Sequence, residues 1–219
     1  MFVDYDPWKG SRPIAWQKGQ LGDCLSCIES GSRAKGGAVT EGIPSIGAEN
    51  IESFGVYDYS KEKFISYDYF NKLKRGKVHS GDVLLYKDGA YTGKTSMALD
   101  DFPHSKCAVN EHVFILRTNE RLPSQFFLYL LLSQDEKRKA LSIMASSKAA
   151  QPGLNQTEVS VLPIEIPKVE IVQQFEQKIT PLMKEIARNA GENKRLATLR
   201  DTLLPKLMSG EIDVSKLDI

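Results

Sequence analysis

Residues 89–95 place Gly89 and Gly93 ahead of Lys94 and Thr95, the residue types of a loop that cradles phosphate with backbone N–H groups. That chemistry needs four residues between the glycines, and this chain has three. It also needs a helix after the lysine, so that the helix N-terminus faces the phosphates. Ser96, Met97, Ala98 and Leu99 instead run into Asp100, Asp101, Phe102 and Pro103, too short a stretch for such a helix. A hairpin loop presenting Tyr91, Thr92 and Lys94 is expected there. Cys24 and Cys27 have metal-ligand spacing, and His104 with Cys107 could complete a four-ligand zinc site. Cysteine is equally a common small buried residue, so spacing alone leaves both readings open.

Asp6, Pro7 and Trp8 lack the second proline that an amino-methyltransferase motif carries before its aromatic residue. No glycine-rich cofactor loop follows a strand, and no Ser/His/Asp grouping emerges from the spacing. His79, His104 and His112 read as structural or surface residues. The chain itself is expected to hold no catalytic residue, no cofactor and no metal.

The elements that must position the remaining polar residues change in character near Pro167. Before it, short β-rich runs alternate with turn residues; after it, the chain reads as helix. Val83, Leu84, Leu85 and Tyr86 form a short buried strand between Gly81-Asp82 and Asp88-Gly89. Residues 112–117 form a second clear strand, and 43–46 and 64–67 weaker ones. Residues 124–132 are apolar and long enough for a helix, with Pro123 and Ser124 as start signals; 135–146 read as another. The loop 31–42 holds four glycines, two basic residues and almost no large apolar side chain. It cannot bury itself and must lie on the surface, where recognition residues tend to sit. Irregular strands with few helices predict an α+β domain over 1–166.

Residues 163–167 are a short extended piece closed by proline. The region 167–219 then takes up helical spacing. Phe175, Ile179, Leu182, Ile186, Asn189, Asn193, Leu196 and Leu203 follow a heptad rhythm, interrupted where Arg200 stands beside Leu199. Thr180-Pro181 predicts a kink or a restart, and Pro205 with Gly210 a stop. From Pro181 to Leu204 the rod would be roughly 36 Å long. Such a rod has little of its own domain to pack against, which favours a partner helix over an ordinary helix lying across its own domain. Leu182, Ile186, Asn189, Asn193, Leu196, Leu199 and Leu203 are the expected interface of a dimer or of a matching half, with the asparagines setting register.

At 219 residues and 41% hydrophobic content, the chain can bury a core without staples and is not disordered. No stretch approaches the roughly 20 apolar residues of a membrane span. The first six residues have neither the basic start nor the apolar core of a signal peptide. Three cysteines, an odd number, fit a reducing compartment better than a disulfide framework. The cytoplasm is the expected location. A formal net charge of +1 does not advertise nucleic acid, although a sequence reader needs a local basic surface and not a basic total. Residues 72–77 and 137–139 are such local clusters, either solvated faces or phosphate contacts.

Several stretches together resemble the specificity subunits of type I restriction-modification systems. Residues 16–23 look like that family's domain opening. Gly81 to Leu85, with Gly89 and Gly93, look like its central hairpin. Residues 126–131 are similar to its paired-aromatic helix. Residues 151–155, followed by Leu162, Pro163, Ile164 and Pro167, resemble its exit into the helical region. Most specific is the run from Leu196 to Ile212, which looks like the family's closing signature. Members usually carry two recognition domains and two helical regions, and this chain has one of each. Residues 1–8 resemble the connector before a second recognition domain, so the resemblance points to a carboxy-terminal half.

The resemblance implies a non-catalytic DNA-recognition subunit. It would hold methyltransferase subunits, which use S-adenosylmethionine, and through them a restriction subunit. Arg and Lys suit guanine edges, Asn and Gln suit adenine, and phosphate contacts set position without carrying sequence. The candidates for DNA contact are Ser32, Arg33 and Lys35 in the glycine-rich loop; Lys87, Asp88, Tyr91, Thr92 and Lys94 in the hairpin; Asn110 and Glu111 before a strand; and Lys148 and Gln151 after a helix. The competing reading is a coiled-coil interaction protein or antitoxin-like regulator that never reads sequence. A stand-alone methyltransferase is disfavoured by the missing motifs.

Overall fold

The computed structural model describes residues 9, 10, 13, 15–34, 36–147 and 153–212. In chain order the elements are β1 (Gln17–Gln20), β2 (Leu25–Ser30), β3 (Ile43–Ile46), β4 (Ile51–Ser53), β5 (Val56–Tyr57), β6 (Phe64–Ile65), α1 (Tyr67–Lys72), β7 (Val83–Tyr86), β8 (Thr95–Met97), β9 (Ala108–Val109), β10 (Val113–Thr118), α2 (Gln125–Leu132), α3 (Asp135–Ser146), α4 (Gln156–Ser160), β11 (Pro163–Ile166) and α5 (Val169–Met208). This is the expected α+β arrangement: a β-rich body followed by one long helix.

The central sheet has the order β2-β10-β7-β8, all antiparallel. The reason β10 and β7 read as continuous apolar runs is that both faces of this sheet are covered. Side chains alternate across a strand. Phe114, Leu116, Val83, Leu85 and Met97 therefore enter the core shared with α2 and α5. Val113, Ile115 and Leu84 enter a second core with Ile46, Ile51, Cys107 and Val109. Behind that second core lies the sheet β6-β3-β9, in which β3 pairs antiparallel with β6 and parallel with β9. A separate pair, β1 with β11, ties the start of the body to the strand that leads into α5.

One expectation about the body needs correction. Residues 64–67 are not one strand: β6 ends at Ile65, and Ser66 caps α1 by accepting the Tyr69 N–H. The aromatic residues there looked like strand formers, but Ser66 at the N-cap redirects them into a helical turn whose Phe70 is buried. The four residues of the zinc reading, which spacing left open beside that of buried cysteines, are dispersed. Cys24 is buried in the larger core, Cys107 in the second core, Cys27 lies beside Arg117, and His104 pairs with Glu62. Burial pushes the Cys24, Cys27 and Cys107 thiols up, Cys107 to about 12, so these thiols stay protonated at neutral pH. Cys24 and Cys107 read as small buried residues, and Cys27 is half-buried.

The long helix departs from expectation in its continuity through both prolines and in its packing, and ends beside Gly210 as expected. It runs unbroken for 40 residues, about 60 Å, through both Pro181 and Pro205. Each proline frees a carbonyl four residues earlier, and Gln177 and Asp201 are both exposed, so water can take up that bond. The stop comes at Ser209, with Gly210 in the left-handed region (φ 76°) just beyond. The helix also packs on its own body. Val172, Met183, Ala187 and Ala190 are buried in the larger core, with Phe175 and Ile179 packed against it. Phe175 stands edge-on to Phe127 of α2, and Ser124 donates to the Glu176 carboxylate. The predicted seam is the neighbouring face: Leu182, Ile186, Leu196 and Leu199 are exposed, as are Asn189 and Asn193, and Leu203 is half-exposed.

Candidate functional site

The register of β7 on β10 sets the geometry of the candidate site. Val113 pairs with Tyr86 and Leu116 with Val83, so the residues just after β7 and just before β10 emerge at the same end of the sheet. Lys87 N–H donates to the His112 carbonyl at 3.1 Å and extends the ladder by one step. Asp88 and Asn110–His112 are thereby neighbours, although far apart in sequence.

The glycine-rich loop reaches the same place from β2. Gly31 is the point of closest approach: a Cβ there would lie 1.7 Å from the Val109 carbonyl oxygen. Only glycine lets the loop leave β2 across β9. Tyr69 of α1 then pins the loop, its hydroxyl sharing a 3.0 Å hydrogen bond with Ser32 Oγ and donating to the Arg33 carbonyl at 3.1 Å. Ser32, Arg33, Asn110 and Glu111 line one cleft of about 890 Å³, with Glu49, Lys63, Tyr86 and His112 completing its wall.

A run of linked polar and charged side chains leads from this cleft to the hairpin. Arg33 Nε meets Glu111 at 2.9 Å, Glu111 stands 3.6 Å from His112 Nε2, His112 Nδ1 bonds Asp88 at 2.8 Å, and Asp88 meets Lys87 at 3.3 Å. Opposite, Lys63 Nζ meets Glu49 at 2.6 Å. Burial pushes the Glu49 carboxyl up, but the Lys63 ammonium and a backbone hydrogen bond outweigh it and hold the group below the usual glutamate value. Tyr86 links the cleft to the hairpin, its ring 6.4 Å from that of Tyr91. Burial first, then the charge of Asp88, pushes its hydroxyl pKa up.

The segment 89–95 is a hairpin turn between β7 and β8, as expected, and a strand, not a helix, follows Lys94. Its presentation differs from expectation at one residue. Tyr91 is exposed, and Lys94 lies 4.5 Å over the Tyr91 ring while meeting Glu52 at 2.9 Å. Thr92 instead points inward: it is buried and donates to the Gly89 carbonyl at 2.8 Å. The turn folds against α3, where a Cβ on Gly93 (φ 91°) would lie 3.1 Å from the Arg138 carbonyl. Thr92 therefore shapes the turn and offers nothing to a ligand. Lys35, Lys148 and Gln151 lie outside the described residues; Gly153, two residues after the last of these, pairs with Asp88.

Sequence reasoning missed Glu49, Lys63, Tyr86 and His112 as cleft residues. Lys63 and Glu49 sit in ordinary polar turns, and only the pairing of β3 with β6 brings them face to face. The basic cluster 137–139 is partly spent on structure, since Lys137 donates to the Pro163 carbonyl at 3.1 Å. No helix among the described residues is long and apolar enough to cross a membrane.

The body and helix are shared with known proteins. The profile of the family described as type I restriction modification DNA specificity domain matches residues 13–199. The specificity subunit of the type I restriction enzyme HindI from Haemophilus influenzae is 41% identical over 86 residues, which cover 39% of this chain and 19% of that protein. The MjaIX specificity subunit from Methanocaldococcus jannaschii is 26% identical over 230 residues, covering 99% of this chain and 51% of that protein. Among solved structures, the S subunit of a type I restriction-modification system from M. genitalium aligns with a TM-score of 0.54 at 17% identity, over 88% of this chain and 45% of that one. The HsdS subunit from Thermoanaerobacter tengcongensis aligns at 0.51 and 18% identity, over 92% and 47%. At such identities the structural likeness speaks for the fold alone. The chain spans about half the length, or less, of these relatives. With the family profile running from the entry to β1 well into α5, the chain belongs to the type I restriction modification DNA specificity domain family.

Proposed function

We propose that this chain reads a short stretch of double-stranded DNA, as one half of a bipartite target, and does no chemistry of its own. One observation carries the reading: side chains able to address base edges and phosphates from the glycine-rich loop and from the approach to β10 line one cleft, and the hairpin turn after Tyr86 adjoins it. Arg33 of the glycine-rich loop and Asn110 and Glu111 of the approach to β10 line the cleft, and Lys87, Asp88, Tyr91 and Lys94 of the hairpin adjoin it through the His112–Asp88 and Tyr86–Tyr91 contacts. Arg and Lys match guanine, Asn matches adenine, and a carboxylate accepts from the cytosine amino group. In this reading residues 1–166 are the recognition domain and 167–219 the spacer.

The helix supports the second half of the proposal. One such domain reaches few base pairs, and useful specificity needs two, held apart. At about 60 Å, α5 is longer than one turn of B-DNA, roughly 34 Å. Its exposed Leu182, Ile186, Leu196 and Leu199 offer a seam for a matching helix, from a second copy or from a matching half. Methyltransferase subunits and, through them, a restriction subunit are the proposed partners, working in the cytoplasm. S-adenosylmethionine would belong to the methyltransferase.

The test is selection from random-sequence duplexes by the chain, with and without a methyltransferase partner. Enrichment of a defined half-site is expected. Arg33→Ala or Lys94→Ala should then cost about 1–3 kcal/mol at one base position if the contact is to a base, or weaken every sequence alike and lower the salt slope if it is to phosphate. Indifference to sequence in both conditions would leave the coiled-coil interaction protein as the better reading.

A further inference from the structure

Three cations at or beside the cleft are already occupied. Arg33 is held by Glu111 at 2.9 Å, Lys94 by Glu52 at 2.9 Å and Lys63 by Glu49 at 2.6 Å. In each pair the acid and the base come from different segments, and the fold brings them together. Stability does not account for the arrangement: pairs in which one partner is 82%, 51% or 62% exposed contribute little to folding. Each carboxylate takes up the cation that a phosphate oxygen could otherwise meet.

This has an energetic consequence for binding. Random DNA offers these cations only phosphate, so binding exchanges one anion for another and leaves a displaced carboxylate facing a polyanion. The usual gain from releasing counterions is offset by that repulsion. A matching sequence offers more. Arg can take the two acceptors of guanine, and a displaced glutamate can accept from the amino group of cytosine. Only there are both members of the broken pair satisfied. The chain's formal net charge of +1 fits a reader whose basic groups are internally neutralised.

We propose that Glu52, Glu111 and Glu49 are specificity-determining residues, which suppress non-cognate binding by occupying Lys94, Arg33 and Lys63 until a matching base sequence displaces them. The inference rests on the DNA-reading function proposed above, and the test separates the two. Affinity of the full chain for a random-sequence duplex is measured against salt for the wild type, Glu52→Gln, Glu111→Gln and the variant carrying both changes with Glu49→Gln. Each single change should raise affinity for random duplex about two- to fivefold, the range of one exposed ion pair. The log–log salt slope should steepen by about 0.9 for each cation freed. Adding Arg33→Ala to Glu111→Gln should abolish that variant's gain.

Unchanged random-duplex affinity and slope would overturn the inference, while sequence enrichment by the wild type would leave the DNA-reading function standing. An equal gain from Glu192→Gln, which frees Arg195 on α5 away from the cleft, would reduce the effect to net charge and also overturn it. If neither the wild type nor any variant binds duplex DNA, both proposals fall together. Thermal unfolding of each variant checks that the surface changes leave the fold intact.

Discussion

Replacing Asp82 should unfasten the end of the central sheet opposite the cleft. Asp82 is buried just before β7, its side chain 3% exposed. It accepts from Arg117 Nε at 2.6 Å and Nη2 at 2.7 Å, and from the His79 backbone N–H at 2.8 Å. Arg117 also reaches Glu29 and the Lys77 carbonyl, both at 3.3 Å, so one guanidinium joins β2, β7 and β10. Removing one partner of a buried pair costs about 3–5 kcal/mol, because the other is left uncompensated. Here the Arg117 side chain is 25% exposed and keeps Glu29, which puts Asp82→Ala near the lower end, about 3 kcal/mol. For a chain of this size that is a fall in melting temperature of about 6–12 °C. Asp82→Asn keeps one acceptor and should lose less. The assay is thermal and urea unfolding of Asp82→Ala, Arg117→Met and the double variant. Coupling of about 2 kcal/mol or more is expected from two residues in one hydrogen-bond network. A loss under about 1 kcal/mol, or single-variant effects that simply add within about 0.5 kcal/mol, would refute the reasoning. Because the network lies at the end of the strand pair away from Tyr86 and Val113, sequence selection well below the melting point should be unchanged.

Burial raises the Glu176 carboxyl pKa even though Ser124 donates a hydrogen bond to it. A raised folded pKa means a contribution that is fully present below the unfolded glutamate value, about 4.3, and lost as pH rises through the folded one. Glu176→Gln, which keeps an acceptor for Ser124 without the charge, should therefore raise the melting temperature at pH 7. The gain should shrink toward zero as pH falls below about 4; a gain independent of pH would count against burial as its cause. On α5, Leu182 and Leu196 are 60% and 48% exposed, so Leu182→Asp with Leu196→Asp should leave the body folded and remove self-association. Sedimentation finding the unmodified chain monomeric at micromolar concentration would reject the homodimer and favour a different matching half.

The amino-acid sequence determined much of the scaffold. The buried strands β7 and β10 were legible because apolar runs bounded by turn residues have few other solutions in a two-faced sheet. Helix α3 was legible to its ends, and α2 to within one residue, through the Pro123-Ser124 start. Short elements were not: α1 has six residues, and its aromatic residues favour strand and helix about equally until Ser66 caps it. Periodicity likewise established which residues of α5 share a face, but not what covers each face. A strip led by Val172, Met183, Ala187 and Ala190 meets the body together with Phe175 and Ile179 of the heptad, while Leu182, Ile186, Leu196 and Leu199 stay open, and that choice depended on where α2 lay. The candidate interface divides the same way. Residue type marked Arg33, Lys94 and Asn110 as able to meet a base, and local turn chemistry marked their loops as exposed. Only the tertiary structure decided that Thr92 turns inward, that His112 and Tyr86 join the cleft, and that Glu111 and Glu52 hold the cations. Such contacts link residues from separate strands, and their energies come from through-space distance, which a linear sequence does not carry.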